Sequence, residues 1–182
     1  GLKHTGYEEI SLLSLSSGDY SCLFNVLEYA NAEHKGLSVS LPSLKIGSIG
    51  DAEITAMGQM ARTGFTFALE APTVGLRSRL NKDIDVDSLV RQLPVLKDLG
   101  WKRIKLYLMT GFPWETEDDL FSIQDVIAPF RAAGMDVNLS VSPFTPKPHT
   151  PFQWLPMDDE KVLLEKIMFI KDALKRKGAR VR

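Results

Sequence analysis

The feature that most constrains the fold is the repeated switch of the apolar pattern between a two-residue period and a helical period along a single chain. Residues 9–15, Glu-Ile-Ser-Leu-Leu-Ser-Leu, are short, β-rich and closed by Ser17-Gly18, which predicts a strand. Asp19 is placed to cap a following helix whose Leu23, Phe24, Val26, Leu27 and Ala30 face inward. Residues 37–44 read as the next strand, and 51–62 carry helical spacing through Ile54, Met57 and Met60. A third strand covers 64–69, followed by a helical stretch over 73–81. Asp85 then caps a helix over 86–99 that Gly100 ends at a C′ position.

Residues 104–109 form the fourth strand, which Gly111-Phe112-Pro113 breaks. Thr116, with Asp119 three residues later, has the form of a capping box for one helix running to Ala133 and terminated by Gly134. A fifth strand spans 137–141. Pro143, Pro146, Pro148 and Pro151, each without an amide hydrogen, exclude regular structure after it, and 158–177 is the last helix. Strands alternating with helices imply right-handed crossovers and a parallel sheet, hence an α/β fold. Two architectures accommodate such units: an open doubly wound sheet, as in a complete flavodoxin-like domain, or a stretch of a βα barrel. Both bind ligands at the carboxyl ends of the strands. The loops after Leu15, Leu44, Leu69, Met109 and Val141 are therefore the candidates for function.

Composition narrows the partners. A chain of 182 residues buries a substantial core, as one domain or as a piece of a larger one. With 22 basic and 23 acidic side chains there is no whole-chain field for nucleic acid or an anionic membrane. The one cysteine excludes an internal disulfide and cannot alone ligate zinc or an iron–sulfur cluster. Cys22, placed on the inner face of the helix after Asp19, reads as a small buried hydrophobe. No apolar run approaches the roughly 20 residues of a membrane span, and residues 1–4 do not resemble a signal peptide, so a cytoplasmic protein is expected. The chain does not open on methionine and enters a strand-like stretch within about eight residues, which suggests a segment cut from a longer protein.

Several residues stand out against this background. Ser14, Ser16 and Ser17 are either ligand hydrogen-bond donors at a strand end or turn formers; neither a P-loop nor a Gly-rich dinucleotide turn is present there. Glu70 ends a nearly continuous apolar strand, where a carboxylate needs a partner: a ligand amine or ribose, or Arg77 or Arg79. Asn81-Lys82 read on their own as a solvated helix end. In the segment 107–116, Tyr-Leu-Met-Thr-Gly-Phe-Pro-Trp-Glu-Thr, the glycine permits close approach of a flat ligand and the proline stiffens the exit. His149 either lines a substrate mouth or packs in its loop, and His4 and His34 lie too far apart to join it in a metal triad or dyad. Residues 171–182 hold six basic residues and one acid, which suits an RNA contact or a solvated helix end.

Taken in order, "Phe-Ala-Leu-Glu-Ala-Pro-Thr…Leu-Asn-Lys", "Gly-Phe-Pro-Trp-Glu-Thr" and "Ser-Pro-Phe-Thr-Pro-Lys-Pro-His-Thr-Pro-Phe" resemble the radical S-adenosylmethionine (SAM) enzymes. The similarity is greatest to the subgroup of methylthiotransferases and cobalamin-domain-fused iron–sulfur oxidoreductases. It covers about residues 6–155. It implies strands two to six of a partial TIM-like (βα)6 barrel in a single truncated domain over 1–182, with 156–182 leading towards a further domain.

The resemblance also assigns site residues, none of them a catalytic acid or base and none a metal ligand. Ser14 and Ser16 fall where the family's second strand approaches the SAM amino group, although the family's Gly-Gly-Glu is absent. Glu70 matches a Glu or Gln position facing SAM, and Lys82 matches an arginine that reaches the SAM carboxylate. Tyr107 stands where some relatives carry an aspartate to the ribose. Gly111, Phe112 and Pro113 match the wall beside the adenine, and Ser142, Pro143 and Phe144 the sixth-strand contacts to that base. The family's [4Fe–4S] cluster is held by Cys-x3-Cys-x2-Cys after strand one, so its ligands would lie outside this chain, and the segment alone is expected to be inactive. The parent enzyme is expected to cleave SAM reductively to a 5′-deoxyadenosyl radical that abstracts hydrogen from an unidentified substrate. An electron donor such as flavodoxin or ferredoxin and, in some members, cobalamin would take part. A non-catalytic βα module that binds a partner or small molecule is the alternative. A missing first strand would leave an open sheet edge beside residues 9–15, suited to pairing between chains.

Overall fold

The computed structural model describes residues 2–42, 44–61, 63–175 and 180–181. After a short helix α1 (Leu2–Thr5), the chain forms β1 (Glu9–Ser11), a 3-10 turn (Ser17–Asp19), α2 (Leu23–Glu33), β2 (Ser38–Ser40), β3 (Leu44–Lys45) and α3 (Asp51–Gly58). Then come β4 (Phe65–Glu70), α4 (Val74–Arg79), α5 (Val86–Asp98), β5 (Arg103–Thr110), α6 (Glu117–Phe121), α7 (Ile123–Ala132), β6 (Asp136–Pro143), α8 (Glu160–Lys175) and β7 (Arg180–Val181). All strand pairs are parallel. β1 pairs with β2, and β3 to β7 follow one another across a second sheet in chain order. The two sheets continue each other, because Ser38 bridges to Ala61 and the Thr63 hydroxyl donates to the Val39 carbonyl at 3.0 Å.

This strand order decides between the two architectures. A doubly wound sheet reverses its order at a switch point. Here each strand lies beside its sequence neighbours, which is the order of a βα barrel opened along one side, and the flavodoxin-like alternative is overturned. On the helix-covered face, Phe65, Phe67, Leu69, Ile104, Leu106 and Leu108 are at most 1% exposed and pack against Leu27, Ile54, Leu89, Leu93, Ile127 and Phe130. Each such side chain contributes about 1.5–3 kcal/mol on burial. A second cluster of Ala71, Leu76, Leu80, Phe112 and Phe144 is flanked by Trp114 and Phe152 in the loops that follow the strands.

Local chemistry explains where elements start and stop. The Thr116–Asp119 capping box forms, with the Asp119 amide donating to the Thr116 hydroxyl at 3.2 Å and the Thr116 amide to the Asp119 carboxylate at 3.0 Å. Asp85 caps α5 through the Ser88 amide. The single helix expected over 116–133 is instead bent into α6 and α7 at Ser122, whose hydroxyl turns back to donate to the Asp118 carbonyl at 2.8 Å. The strand expected over 37–44 is split into β2 and β3 around Pro42, which has no amide to give to a ladder. The strand expected over 9–15 stops at Ser11. There the Ser17 hydroxyl donates to the Leu12 carbonyl at 2.8 Å and lies 3.2 Å from that of Ser14, so the serines form a turn and leave Leu13 and Leu15 exposed.

Three further expectations are corrected at α2. Asp19 lies in the 3-10 turn and does not cap the helix; Cys22 occupies the N-cap, with its side chain accepting no cap bond. Cys22 is therefore exposed and not a buried hydrophobe, because the helix begins after it and its first inward position is Leu23. Phe24, also expected inside, is 37% exposed.

Candidate functional site

Strand alternation fixes what the other face of the sheet presents. With β4 to β6 burying their odd or even apolar positions under helices, Thr66, Ala68 and Glu70, then Lys105, Tyr107 and Met109, then Asn138, Ser140 and Ser142 turn the opposite way. The register lines them into rows: Thr66, Lys105 and Asn138 in one, and Lys45, Ala68, Tyr107 and Ser140 in the next. An ordinary closed barrel fills this space with branched apolar side chains. Here the inner face is polar, which suits a ligand cradle better than a packed core.

At the carboxyl end of β4 the sheet register shifts between Ala68 and Glu70, and Glu70 adopts a left-handed backbone with φ 66°. Its carboxylate meets Lys82 Nζ at 3.1 Å, with side-chain exposures of 17% for Glu70 and 51% for Lys82. Lys82 follows Asn81, which is also left-handed at φ 54°. The alternative partners of Glu70 are engaged elsewhere. Arg77 is buried and donates to the carbonyls of Ala71 and Pro72 at 2.9 and 2.7 Å; burial lowers its pKa below the ordinary arginine value, partly opposed by Asp87. Arg79 lies over the Trp114 ring at 5.9 Å. The lysine that reads as a solvated helix end is thus the partner of the carboxylate, and only the tertiary structure reveals this.

The loop after β5 is built on a buried carboxylate. Glu115 has a fully buried side chain whose Oε2 accepts from the Thr110 hydroxyl and the Gly111 amide, each at 2.8 Å, and pairs with Lys166 Nζ at 3.2 Å. Lys166 also meets Asp158 at 2.7 Å. Burial pushes the Lys166 ammonium down, but the hydrogen bonds and charges of Asp158 and Glu115 outweigh it, so its pKa lies above the ordinary lysine value. Beside this network Asp119 accepts from the Thr73 hydroxyl at 2.7 Å, tying the β4 loop to the β5 loop. Burial raises its pKa, and the bonds from Thr73 and Thr116, helped by Arg79, lower it further than that. From sequence, the acidic run from Glu115 to Asp119 reads only as favouring the positive end of the following helix; a glutamate four residues after a strand-ending Thr-Gly is the signal that marks Glu115.

The remaining site residues are distributed as follows. Gly111 (φ 94°) faces α8, where a Cβ would lie 2.5 Å from the Leu163 side chain, so the close approach it permits is to Leu163. Phe112 and Phe144 are buried with ring centroids 5.0 Å apart, and the Phe144 amide donates to the Thr110 carbonyl at 2.7 Å. Pro113, Ser142 and Pro143 are exposed at the strand ends. Tyr107 is 42% exposed on the inner face, its hydroxyl accepting from Lys105 Nζ at 2.8 Å. Ser14 and Ser16 sit in the turn after β1, with Ser16 Oγ buried and without a partner. His149 is exposed in the proline-rich loop with φ 62°. Among the described residues no group of three or more His, Cys, Asp or Glu is arranged to hold a metal. No helix among them is long and apolar enough to cross a membrane. Of the basic stretch over 171–182, residues 176–179 and 182 lie outside the described residues.

No family model matches the sequence. The uncharacterized protein MJ0966 of Methanocaldococcus jannaschii is 29% identical over 181 residues, and the chain spans about two fifths (39%) of that relative's length. Among solved structures, SuiB of Streptococcus suis superposes with a TM-score of 0.65 over 96% of this chain and 38% of its own, at 11% identity. SuiB bound to its precursor peptide SuiA gives 0.59 over 95% of this chain and 37% of its own, at 12% identity. The radical S-adenosylmethionine methyltransferase TsrM of Kitasatospora setae, with cobalamin and a [4Fe–4S] cluster bound, gives 0.64 over 83% of this chain and 30% of its own, at 12% identity. The chain shares with SuiB and with the radical SAM enzyme TsrM the fold of a partial βα barrel.

Proposed function

We propose that this chain is the SAM-binding part of a radical SAM iron–sulfur enzyme. The observation that carries the proposal is the Glu70–Lys82 pair at the mouth of a polar inner face, in a fold shared with such an enzyme. A carboxylate and an ammonium side by side match the α-ammonium and α-carboxylate of an amino-acid ligand, which exchanges one internal ion pair for two. Lys82 would take the carboxylate as a point charge and Glu70 the amine. The exposed strand ends at Pro113, Ser142 and Pro143, backed by the aromatic cluster of Phe112 and Phe144 beside Gly111, would receive the adenine. Ser14 and Ser16 complete the rim, and Tyr107 faces the ligand from within the inner face.

The residues present do not fit a [4Fe–4S] cluster: the lone Cys22 stands at the start of α2 without a second thiol. The cluster, cobalamin and a flavodoxin or ferredoxin donor belong, in this reading, to the longer protein, and this chain contributes binding and orientation. Bound SAM supplies radical hydrogen abstraction or group transfer in such enzymes; the protein side of that chemistry here is positioning and exclusion of water.

Anaerobic calorimetric titration of SAM and of S-adenosylhomocysteine tests the proposal. Saturable binding is expected, weakened about tenfold or more in E70A and in K82M. Absence of binding, or binding indifferent to both substitutions, sinks it. If SAM binds but the longer protein with reconstituted cluster releases no 5′-deoxyadenosine under reducing conditions, the non-catalytic βα module replaces it.

A further inference from the structure

Along β3 to β6 the charges of the inner face do not balance, the further carboxylate of that face being Glu9 on β1. Glu70 pairs with Lys82, and Arg103 pairs with its register neighbour Asp136 at 3.4 Å. Lys45 and Lys105 remain on the face with no carboxylate within ion-pair distance among the described residues. Lys105 is held in place by its own strand: Nζ donates to the Tyr107 hydroxyl at 2.8 Å and lies 4.5 Å from the centre of that ring. One ammonium proton is used there, and the ammonium has two more to donate. The neighbouring positions are rich in hydroxyls, with Thr66 beside Lys105 in the register and Ser140 beside Tyr107. Asn138, on the other side of Lys105, has a buried Oδ1 with no partner. As an acceptor, this oxygen calls for a donor group on the occupant, such as a hydroxyl or amine next to the oxyanion, and not for the oxyanion itself.

We infer that the middle of the inner face, around Lys105 and Tyr107, holds an oxyanion of the substrate, a carboxylate or a phosphate. The inference rests on the inner face being the ligand cradle, and it gives the unidentified substrate a charge. An ammonium held by the Tyr107 hydroxyl and ring, with hydroxyl-bearing Thr66 and Ser140 beside it in the register, makes charge-assisted hydrogen bonds to such a group, and Lys45, two strands away on the same face, adds to the positive field. A neutral sugar diol would leave both cations without a counter-charge.

The test is a titration of the protein with inorganic phosphate and with succinate, each against a neutral counterpart, trimethyl phosphate or succinamide, followed by calorimetry. Saturable binding of at least one anion is expected, about tenfold or more weaker in K105M, recovered in K105R and reduced by added salt. The preferred anion identifies which oxyanion the substrate carries. Binding unchanged in K105M, equal binding of the neutral counterparts, or no saturable binding of either anion overturns the inference. K105R guards against misfolding as the cause, since it keeps the charge on the same exposed strand face. Parallel titration of S-adenosylhomocysteine separates the two readings. Anion binding that depends on Lys105 without nucleoside binding removes the SAM assignment alone, and nucleoside binding without anion binding removes the oxyanion site alone.

Discussion

Glu70 breaks a local rule. A non-glycine residue at φ 66° carries strain of about 1–3 kcal/mol, whereas a partly exposed ion pair such as Glu70–Lys82 returns about 0–1 kcal/mol. The pair alone therefore does not account for a glutamate at this position, and the proposed function does, by holding the residue for binding. In E70G, which removes both strain and pair, urea unfolding should show a stability within about 1 kcal/mol of the parent or above it, while SAM affinity falls about tenfold or more. A loss well beyond 1 kcal/mol would instead make the Glu70 side chain part of the scaffold. Asp119 acts in the opposite sense, as scaffold. Its folded pKa lies below the ordinary value, so its contribution is present above about pH 4 and disappears as pH falls through the folded value. D119N should therefore flatten the acid limb of a stability–pH profile, and a limb as steep as the parent's would remove Asp119 as a contributor.

At the scale of elements, α8 is seated on the end of β5 by two contacts of different kinds. One is steric: Gly111 combines a left-handed backbone with a Cβ position 2.5 Å from Leu163. G111A should therefore cost more than about 2 kcal/mol, since strain and overpacking add. Leu163→Ala removes the clash at its own cavity cost, so G111A should cost less in the L163A background than in the parent, by the overpacking part alone. No cost in that background would mean that the backbone at Gly111 is unstrained, and calorimetric melting temperatures of G111A, L163A and the double variant resolve the question. The other contact is electrostatic, the Lys166 bridge between fully buried Glu115 and Asp158. Because the folded pKa of Lys166 is raised, its stabilisation is complete below about pH 10.4 and is lost as pH climbs through the higher folded value. K166M strands the Glu115 charge in the interior and should cost about 3–5 kcal/mol near neutral pH, with a shallower decline in alkali than the parent. Equal alkaline slopes would exclude Lys166 as the group that titrates.

Across the whole molecule, the parts of the fold that follow from periodicity were legible in the sequence, and the parts that depend on register were not. Alternation at Phe65, Phe67 and Leu69 and at Ile104, Leu106 and Leu108 announces parallel strands whose one face is buried, and Asp85 and Thr116 mark their helix starts unambiguously. The pairing of Glu70 with Lys82 depends on how the chain returns after α4, and the standing of Lys45 and Lys105 on one face depends on two strand registers, so no local pattern encodes either. Cys22 stands outward because α2 starts only after it, and a shifted helix start turns an inward position into an outward one. The same division between long, covered strands and short ones predicts how the molecule opens. β5 has a strand on each side and a buried outer face, while β1 contributes three residues, pairs only with β2 among the described residues, and exposes Glu9 and Ser11. Free energies of opening should thus rise from the β1 edge inward. In hydrogen exchange the Leu12 amide, bonded to the Ser40 carbonyl at 3.0 Å, and the Ser38 amide, bonded to the Glu8 carbonyl at 2.8 Å, should exchange about 100-fold or more faster than amides in the middle of β5. Equal protection at Leu12 and Leu106 would show instead that the two sheets open as one cooperative unit. The observed order would place the polar cradle on the stable strands and leave the Ser14–Ser17 rim free to move around a ligand.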